Sequence, residues 1–123
     1  MPNGYTGKIL WIDLPSGEIK EETPDDFFYR KYVGGRGIGA YELLKNQAAL
    51  VDDFGPDNII GFTVGLLVGF LPGATRCSVV TRSPLTESWG DSSMCGSFAT
   101  ELKRSGFDAV FIKGIADYYG LLQ

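Results

Sequence analysis

Residues 59–82 read IIGFTVGLLVGFLPGATRCSVVTR and contain two strand-like segments, 59–64 and 77–82, separated by a glycine-rich connection. Short runs of β-branched and aromatic residues bounded by glycine and proline predict buried strands. The connection, residues 65–75, is apolar and rich in glycine, so its backbone can turn sharply or approach another group closely. This stretch therefore predicts two strands of a sheet and a glycine-rich loop between them.

Further strands are predicted on either side of this stretch. Residues 8–14 and 18–22 flank a Pro-Ser-Gly turn and predict a hairpin, whose charged return strand should lie at a sheet edge or face water. Residues 108–114 predict another strand. Because the sequence ends soon afterwards, at an apolar tail that contains Tyr118-Tyr119 and Leu121-Leu122, we expect residues 110–113 to be open to pairing with a further strand.

Two helices and a helical third segment are predicted between the strands. Thr23 can cap a helix that runs to about residue 33, and residues 34–37 end it. A second helix is predicted over 38–50 and helical structure over 93–105, whereas residues 85–92 look irregular. The expected inward-facing residues are Phe27, Phe28 and Tyr32, then Ile38, Tyr41, Leu44 and Leu50, and last Met94, Phe98 and Leu102.

The order of these elements predicts the fold class. Strands outnumber helices and do not alternate with them as βαβ units. We therefore expect an α+β fold, a β-rich domain of mainly antiparallel sheet with two to three helices. The length of 123 residues fits a single domain over 1–123.

Composition excludes several classes of function. A net charge of −4 argues against nucleic-acid binding, and no apolar run is long enough to cross a membrane. Histidine is absent, which removes the commonest general base and metal ligand. No signal peptide is visible at the start of the sequence, so we expect a cytoplasmic protein.

Three segments are candidates for binding an anion. In residues 34–37 glycines surround Arg36, which can donate two parallel hydrogen bonds to a phosphate; the alternative is a helix–helix turn with a surface arginine. Arg76 follows a small-residue turn at the mouth of a strand, or is an ordinary strand-start arginine. Residues 89–97 run small and hydroxyl side chains into a predicted helix start. This segment either cradles an anion or is a plain serine cap, with Gly96 allowing close helix packing.

The two cysteines offer little chemistry by themselves. Cys77 lies in a strand-like segment and is expected to be a small buried residue, whereas Cys95 would be a thiol near a helix start. Without a histidine a nucleophilic cysteine is disfavoured, and two thiolates cannot ligate a [4Fe–4S] cluster that needs four. A nucleotide-binding module is also disfavoured, because the glycine motifs lack the flanking strand or Gly-Lys-Ser/Thr sequence.

Five segments in order resemble one family. They are GYTGKIL at 4–10, YVGGRGIGA at 32–40, DFGPDN at 53–58, RCSVVTRSPLT at 76–86 and ELKRSGFDA at 101–109. Together they cover nearly the whole sequence and resemble the N-terminal domain of the tungsten-containing aldehyde:ferredoxin oxidoreductases.

The resemblance implies a function and a set of site residues. Members oxidise aldehydes to carboxylic acids, pass electrons to ferredoxin and carry tungsten or molybdenum on two pterins beside a [4Fe–4S] cluster. Arg76 matches an arginine that contacts the pterin phosphates. Ser93 matches a position, usually Asn, whose backbone carbonyl helps to hold the magnesium ion that bridges them. The family's Ser-Gly-Gly that follows reads Met94-Cys95-Gly96 here. Cys95 and Gly96, with Gly35 and Arg36, complete the expected cofactor-binding set.

The resemblance also implies partners. Family members are several times longer, and their cluster ligands come from later domains, so this sequence by itself is expected to be catalytically incomplete. The expected partners are the missing C-terminal domains or a subunit that supplies them, and ferredoxin through the complete enzyme. The alternative is a non-catalytic remnant of the same fold that self-associates through an exposed sheet edge. In isolation we expect a homo-oligomer under either interpretation.

Overall fold

The computed structural model describes residues 3–118 and 120, and these form one six-stranded sheet with three helices. The strands run in the spatial order β2-β1-β6-β3-β4-β5, and every neighbouring pair is antiparallel except β1 and β6, which are parallel. The predicted α+β class with a mainly antiparallel sheet is therefore confirmed. In chain order the elements are β1 (Ile9–Asp13), β2 (Glu18–Glu22), α1 (Asp26–Tyr32), α2 (Arg36–Asn46), β3 (Ile59–Val64), β4 (Arg76–Ser83), β5 (Ser88–Cys95), α3 (Ser97–Arg104) and β6 (Ala109–Lys113).

Strand β6 lies inside the sheet rather than at an edge. It pairs in parallel with β1, where Trp11 stands beside Phe111, and antiparallel with β3, where Gly61 stands beside the same Phe111. The expectation that residues 110–113 are open to a further strand is therefore wrong. The edges of the sheet are β2, as its charged sequence predicts, and β5. Tyr119 and residues 121–123 of the apolar tail lie outside the described residues.

The helices cover the two faces of the sheet unequally. Helices α1 and α2 pack on one face, and their core includes Ile9, Phe28, Tyr29, Ile38, Leu43, Ile59, Val80, Ala109 and Phe111. Helix α3 packs on the other face over β3 and β4, around Val64, Val68, Cys77 and Ala99. Alternation along β4 separates the two cores, so that Val80 faces α2 while Cys77 faces α3.

Glycine allows α2 to lie directly on the sheet. A Cβ added at Gly39 would lie 2.7 Å from Val80 Cγ2, which is closer than real contacts allow. A Cβ at Gly61 on β3 would overlap the ring of Phe111. These two positions hold glycine because the helix and the aromatic ring occupy the space that a side chain would need.

The first two helices are shorter than predicted, and their buried faces differ. Helix α1 is capped by Asp25, whose side chain accepts a hydrogen bond from the Phe28 N–H at 2.9 Å, and not by Thr23. Phe27 is 69% exposed and Tyr29 is buried in its place. Helix α2 ends at Asn46, so Leu44 and Leu50 are exposed and Leu43 packs inward.

The segment before α3 is a strand, which contradicts the expectation of an irregular stretch followed by a helix from residue 93. Strand β5 pairs with β4 over its full eight residues, from Ser88 to Cys95. Its sequence, SWGDSSMC, is polar because it lies at an edge and mostly faces solvent, so it carries no apolar alternation. Met94 and Leu102 do contact the same apolar cluster, but one lies on a strand and the other on a helix.

The helices of the described part of the chain are too short and too polar to cross a membrane. The longest, α2, has 11 residues.

Candidate functional site

A cavity of about 620 Å³ opens where the α1–α2 turn meets the ends of β3 and β4. We call it the glycine cavity, because Gly34, Gly35, Gly65 and Gly73 line it together with Arg76. Its remaining lining is largely aliphatic, from Val33, Leu66, Leu67, Val68 and Ala74, with one hydroxyl from Ser78. Two of the three predicted anion-binding segments, residues 34–37 and Arg76, therefore contribute to one site.

The α1–α2 turn forms one wall of the cavity because of its unusual backbone. Val33, Gly34 and Gly35 all have positive φ angles, of 66°, 114° and 54°. The Gly35 N–H donates to the Val64 carbonyl at 3.0 Å, and Gly34 forms a β-bridge with Gly65. A Cβ at Gly34 would lie 3.2 Å from the Val64 oxygen, so glycine is needed there for both its conformation and its close approach.

Arg76 brings an unneutralised positive charge to the cavity. It is the first residue of β4, it is exposed, and it shares a strand face with Ser78. Its guanidinium makes no ion pair and no hydrogen bond with any other residue in the described part of the chain. A cation held at the rim of a glycine-walled cavity without a protein partner is suited to bind an anionic group.

Arg36 is engaged with the neighbouring strand β5. As the first residue of α2 it places its Nη2 atom 3.1 Å from Ser93 Oγ and 3.3 Å from Asp91 Oδ1. The structure thus brings Arg36 and Ser93 together, although they lie 57 residues apart. The carboxylate of Asp91 balances the charge of Arg36, which distinguishes this arginine from Arg76.

Ser93 and Cys95 are on a strand and not at a helix start, which corrects the expected serine-rich helix N-terminus. In the β4–β5 ladder Ser93 stands opposite Ser78 and Cys95 stands opposite Arg76. Ser93 and Cys95 are both exposed. The intervening Met94 faces the α3 side and packs near Cys77. Hence Cys95 shares a face with Arg76 and Met94 does not.

The backbone conformation of Gly96 and the burial of Cys77 give these two residues structural roles in the fold. Gly96 has a φ of 134° and joins β5 to α3, a conformation that side chains rarely adopt. Cys77 is fully buried as expected, and burial raises the pKa of its thiol to about 11. Both cysteines are free thiols.

Arg82, the other arginine of β4, does not belong to the cavity. Its guanidinium forms an ion pair with Asp53 and donates to the Ala49 carbonyl at 2.8 Å. These contacts tie β4 to the loop after α2, so Arg82 has a structural role.

Sequence reasoning missed a buried ion pair behind the cavity. Lys103 Nζ lies 2.9 Å from Asp108 Oδ1, and both side chains are at most 2% exposed. Burial acts to raise the pKa of Asp108, but hydrogen bonds from the Thr6 and Gly7 N–H groups and from Lys103 outweigh it and hold the pKa below its ordinary value. The spacing of five residues follows no helical pairing rule, so no sequence signal predicted the pair.

The described residues contain no group of three Cys, Asp or Glu side chains that could hold a metal ion. Any metal at this site would therefore need ligands beyond these side chains, such as the expected backbone carbonyl of Ser93 or a cofactor's own atoms.

Residues 9–122 match the family model described as "Aldehyde ferredoxin oxidoreductase, N-terminal domain". The chain is 45% identical over 116 residues to the tungsten-containing aldehyde ferredoxin oxidoreductase of Pyrococcus abyssi and 43% identical to that of Pyrococcus horikoshii. It is 34% identical to the aliphatic sulfonate oxidoreductase, WOR-like subunit, of Pyrococcus furiosus. The first two matches cover 94% of this chain but 19% of the relative, so the chain spans about a fifth of the length of these relatives.

A solved structure has the same fold. The active-site complex BamBC of benzoyl coenzyme A reductase, in complex with 1,5-dienoyl-CoA, superimposes with a TM-score of 0.90 at 34% identity. The match covers 94% of this chain and 18% of that chain.

Proposed function

Because the chain belongs to the aldehyde ferredoxin oxidoreductase N-terminal domain family, we propose that it is the base on which a tungsten bis-pterin cofactor is held. The observation that carries this proposal is Arg76, a cation at the rim of a glycine-walled cavity that has no partner among the described residues. The cofactor's phosphate groups are anions of the kind that such a site binds.

The residues that are present fit such a group. A Cβ added at Gly65 or Gly73 would meet nothing within 4 Å, so the backbone there is open to a neighbour in the cavity. The aliphatic lining suits the flat organic part of a cofactor, while Arg76 suits its charged end.

Each site residue has a proposed role. Arg76 binds a phosphate, and Gly35 lets the backbone come close to the cofactor. Arg36 holds Ser93 in place through its 3.1 Å hydrogen bond, and the Ser93 backbone carbonyl contributes to a magnesium site. Cys95 and Gly96 contact the cofactor beside Arg76. When bound, the cofactor supplies the redox chemistry by which an aldehyde is oxidised to a carboxylic acid.

The remaining parts of the reaction would come from outside this chain. Four thiolates are needed for a [4Fe–4S] cluster, and this chain has two cysteines, one of which is buried. We therefore place the cluster, most of the substrate pocket and the ferredoxin contact on further domains or a subunit, in a cytoplasmic enzyme. An aldehyde is the substrate class that the names of the most similar relatives favour.

A chimera tests the proposal. This chain would replace the homologous segment of the Pyrococcus abyssi relative, and tungsten and pterin would be measured in the purified protein. The chimera should retain both, and Arg76→Ala should lower their content severalfold while leaving the secondary structure unchanged. Arg104→Ala, which removes an exposed arginine of α3, is the matched control. Equal tungsten and pterin contents in the two variants would remove Arg76 from the site.

Strand β5 favours a second candidate function, self-association as a non-catalytic module. It is an eight-residue edge strand, mostly exposed and without lysine or proline to discourage pairing. A homodimer should then form in the isolated chain, and Ser92→Pro, within this edge, should abolish it. A monomer at high concentration in light scattering would reject this candidate.

A further inference from the structure

The segment that forms one side of the glycine cavity is held by a side chain from the opposite face of the sheet. Lys103, on α3, donates from Nζ to the Gly65 carbonyl at 3.3 Å. Its aliphatic stem runs beneath the same segment, since a Cβ at Gly69 would lie 3.9 Å from Lys103 Cγ. Lys103 is 2% exposed, so both contacts are shielded from solvent.

Apart from Val68, which packs in the core beneath α3, the segment has few other ties to the fold. The turn hydrogen bonds within residues 65–75, such as Val68 N–H to Gly65 O and Ala74 N–H to Leu71 O, join the segment to itself. Among the described residues, Lys103 is the side chain of another element that donates a hydrogen bond to residues 65–75. The backbone tie is the bridge between Gly65 and Gly34, which lies in the adjoining wall of the cavity.

Asp108 fixes the position of the Lys103 ammonium. Its carboxylate accepts from the Thr6 N–H, the Gly7 N–H at 2.8 Å and Lys103 at 2.9 Å. Its backbone carbonyl accepts from the Val64 N–H at 3.0 Å, directly before Gly65. One residue thus anchors both the end of β3 and the lysine that holds the next carbonyl along the chain.

We propose that Lys103 is a positioning residue for the glycine cavity: with Asp108 as its anchor, it holds the Gly65 carbonyl and so the position of residues 65–75 beside the Gly34 turn, on which the fit of an anionic ligand depends. The ligand part of this inference rests on the proposed function, but the positioning of Gly65 does not. Lys103 acts through the backbone and is not expected to touch the ligand.

The test combines two variants with a matched control in the 123-residue chain. Lys103→Met removes the donor but leaves the Asp108 carboxylate buried without its partner. The double variant, Lys103→Met with Asp108→Asn, removes both charges, so that folding is protected. Arg104→Met is the control, because it places methionine at the next residue, whose side chain is 71% exposed and, among the described residues, pairs with Glu101.

The readouts are amide hydrogen exchange at Gly35 and Val68 and the Gly65 carbonyl ¹³C shift. Both Lys103 variants should accelerate exchange at these amides about tenfold more than at Val33, whose N–H bonds within α1, and should shift the Gly65 carbonyl. Acceleration that is uniform over the sheet, or equal to that in Arg104→Met, would overturn the proposal and leave a merely structural ion pair.

Binding of inorganic pyrophosphate separates the two proposals. Weaker binding by the double variant than by Arg104→Met, together with the local exchange effect, supports both. If the unmodified chain does not bind pyrophosphate, the anion role of the cavity fails, while the exchange data still decide whether Lys103 positions Gly65.

Discussion

Arg36 on helix α2 and Ser93 on strand β5 are joined by a hydrogen bond of 3.1 Å, and the same guanidinium nitrogen lies 3.3 Å from Asp91. Arg36 begins α2 and Ser93 lies on the edge strand β5, so this contact fastens the edge of the sheet to the glycine turn. It also means that the two arginines near the cavity differ, since Arg36 has an acidic partner and Arg76 has none among the described residues.

Asp91→Asn should strengthen anion binding. The carboxylate competes with any anion for Arg36, and removing its charge should lower the dissociation constant of pyrophosphate about threefold, while stability changes by less than about 1 kcal/mol because the pair is partly exposed. Titration calorimetry at low salt measures this. Glu101→Gln, which frees Arg104 on α3, is the control, and an equal gain in both variants would show only an effect of net charge.

Gly61→Ala should lower the stability of the fold, whereas Gly65→Ala should lower cofactor retention and leave stability nearly unchanged. A methyl group at Gly61 overlaps Phe111 and should cost about 1–3 kcal/mol in the free energy of unfolding. At Gly65 a methyl group meets no other atom within 4 Å, so stability should change by less than about 0.5 kcal/mol, yet tungsten retention in the chimera should fall. Urea unfolding and metal analysis check the two halves. Full tungsten retention in Gly65→Ala would indicate that the cofactor does not approach this wall.

The two cysteines should differ in reactivity. Cys95 is exposed and should react with a thiol reagent in the native chain, whereas Cys77 is buried and should react only after unfolding. Cys95→Ser should therefore abolish native labelling. Native labelling that persists in Cys95→Ser would contradict the burial of Cys77.

Alkaline pH should destabilise the fold through Cys77. Burial raises the pKa of this thiol from 9.0 to about 11, so the folded state holds a proton that the unfolded state loses between these values. The contribution to stability is complete below pH 9 and declines as the pH rises to about 11. Unfolding measured between pH 8 and 11 should show a smaller loss in Cys77→Ala than in the unmodified chain, and parallel curves would argue against this assignment.

Acid should weaken the Lys103–Asp108 pair. The pKa of Asp108 is held below its ordinary value, so its ionised form stabilises the fold above the unfolded-state pKa, and the stabilisation is lost as the pH falls through the folded-state pKa. Asp108→Asn leaves Lys103 buried without its partner and should cost about 3–5 kcal/mol at neutral pH. Its unfolding free energy should also depend less on pH between 2 and 5. Asp57→Asn, at an exposed site 3.9 Å from Lys113, should leave that dependence unchanged.

The sequence determined most of the strands and the class of the fold, because these depend on local composition, and it indicated the family through the resemblance of five segments in order. Segments such as 59–64 and 77–82 have residues that favour buried strands wherever they are placed, and the glycine and arginine motifs at 34–37 and 76 can be read without knowing their neighbours. Both motifs were candidates from the sequence, and the structure brings residues of both to one cavity.

Only the tertiary structure decided how the remaining segments are used. Strand β5 has little intrinsic preference for a strand and is extended because β4 pairs with it along its whole length. Strand β6 is central because β1 and β3 flank it, and Lys103 meets Asp108 because α3 turns its buried side toward the end of β3. Pairing between distant strands and burial of a compensated charge depend on contacts across the chain, which no local pattern of residues encodes.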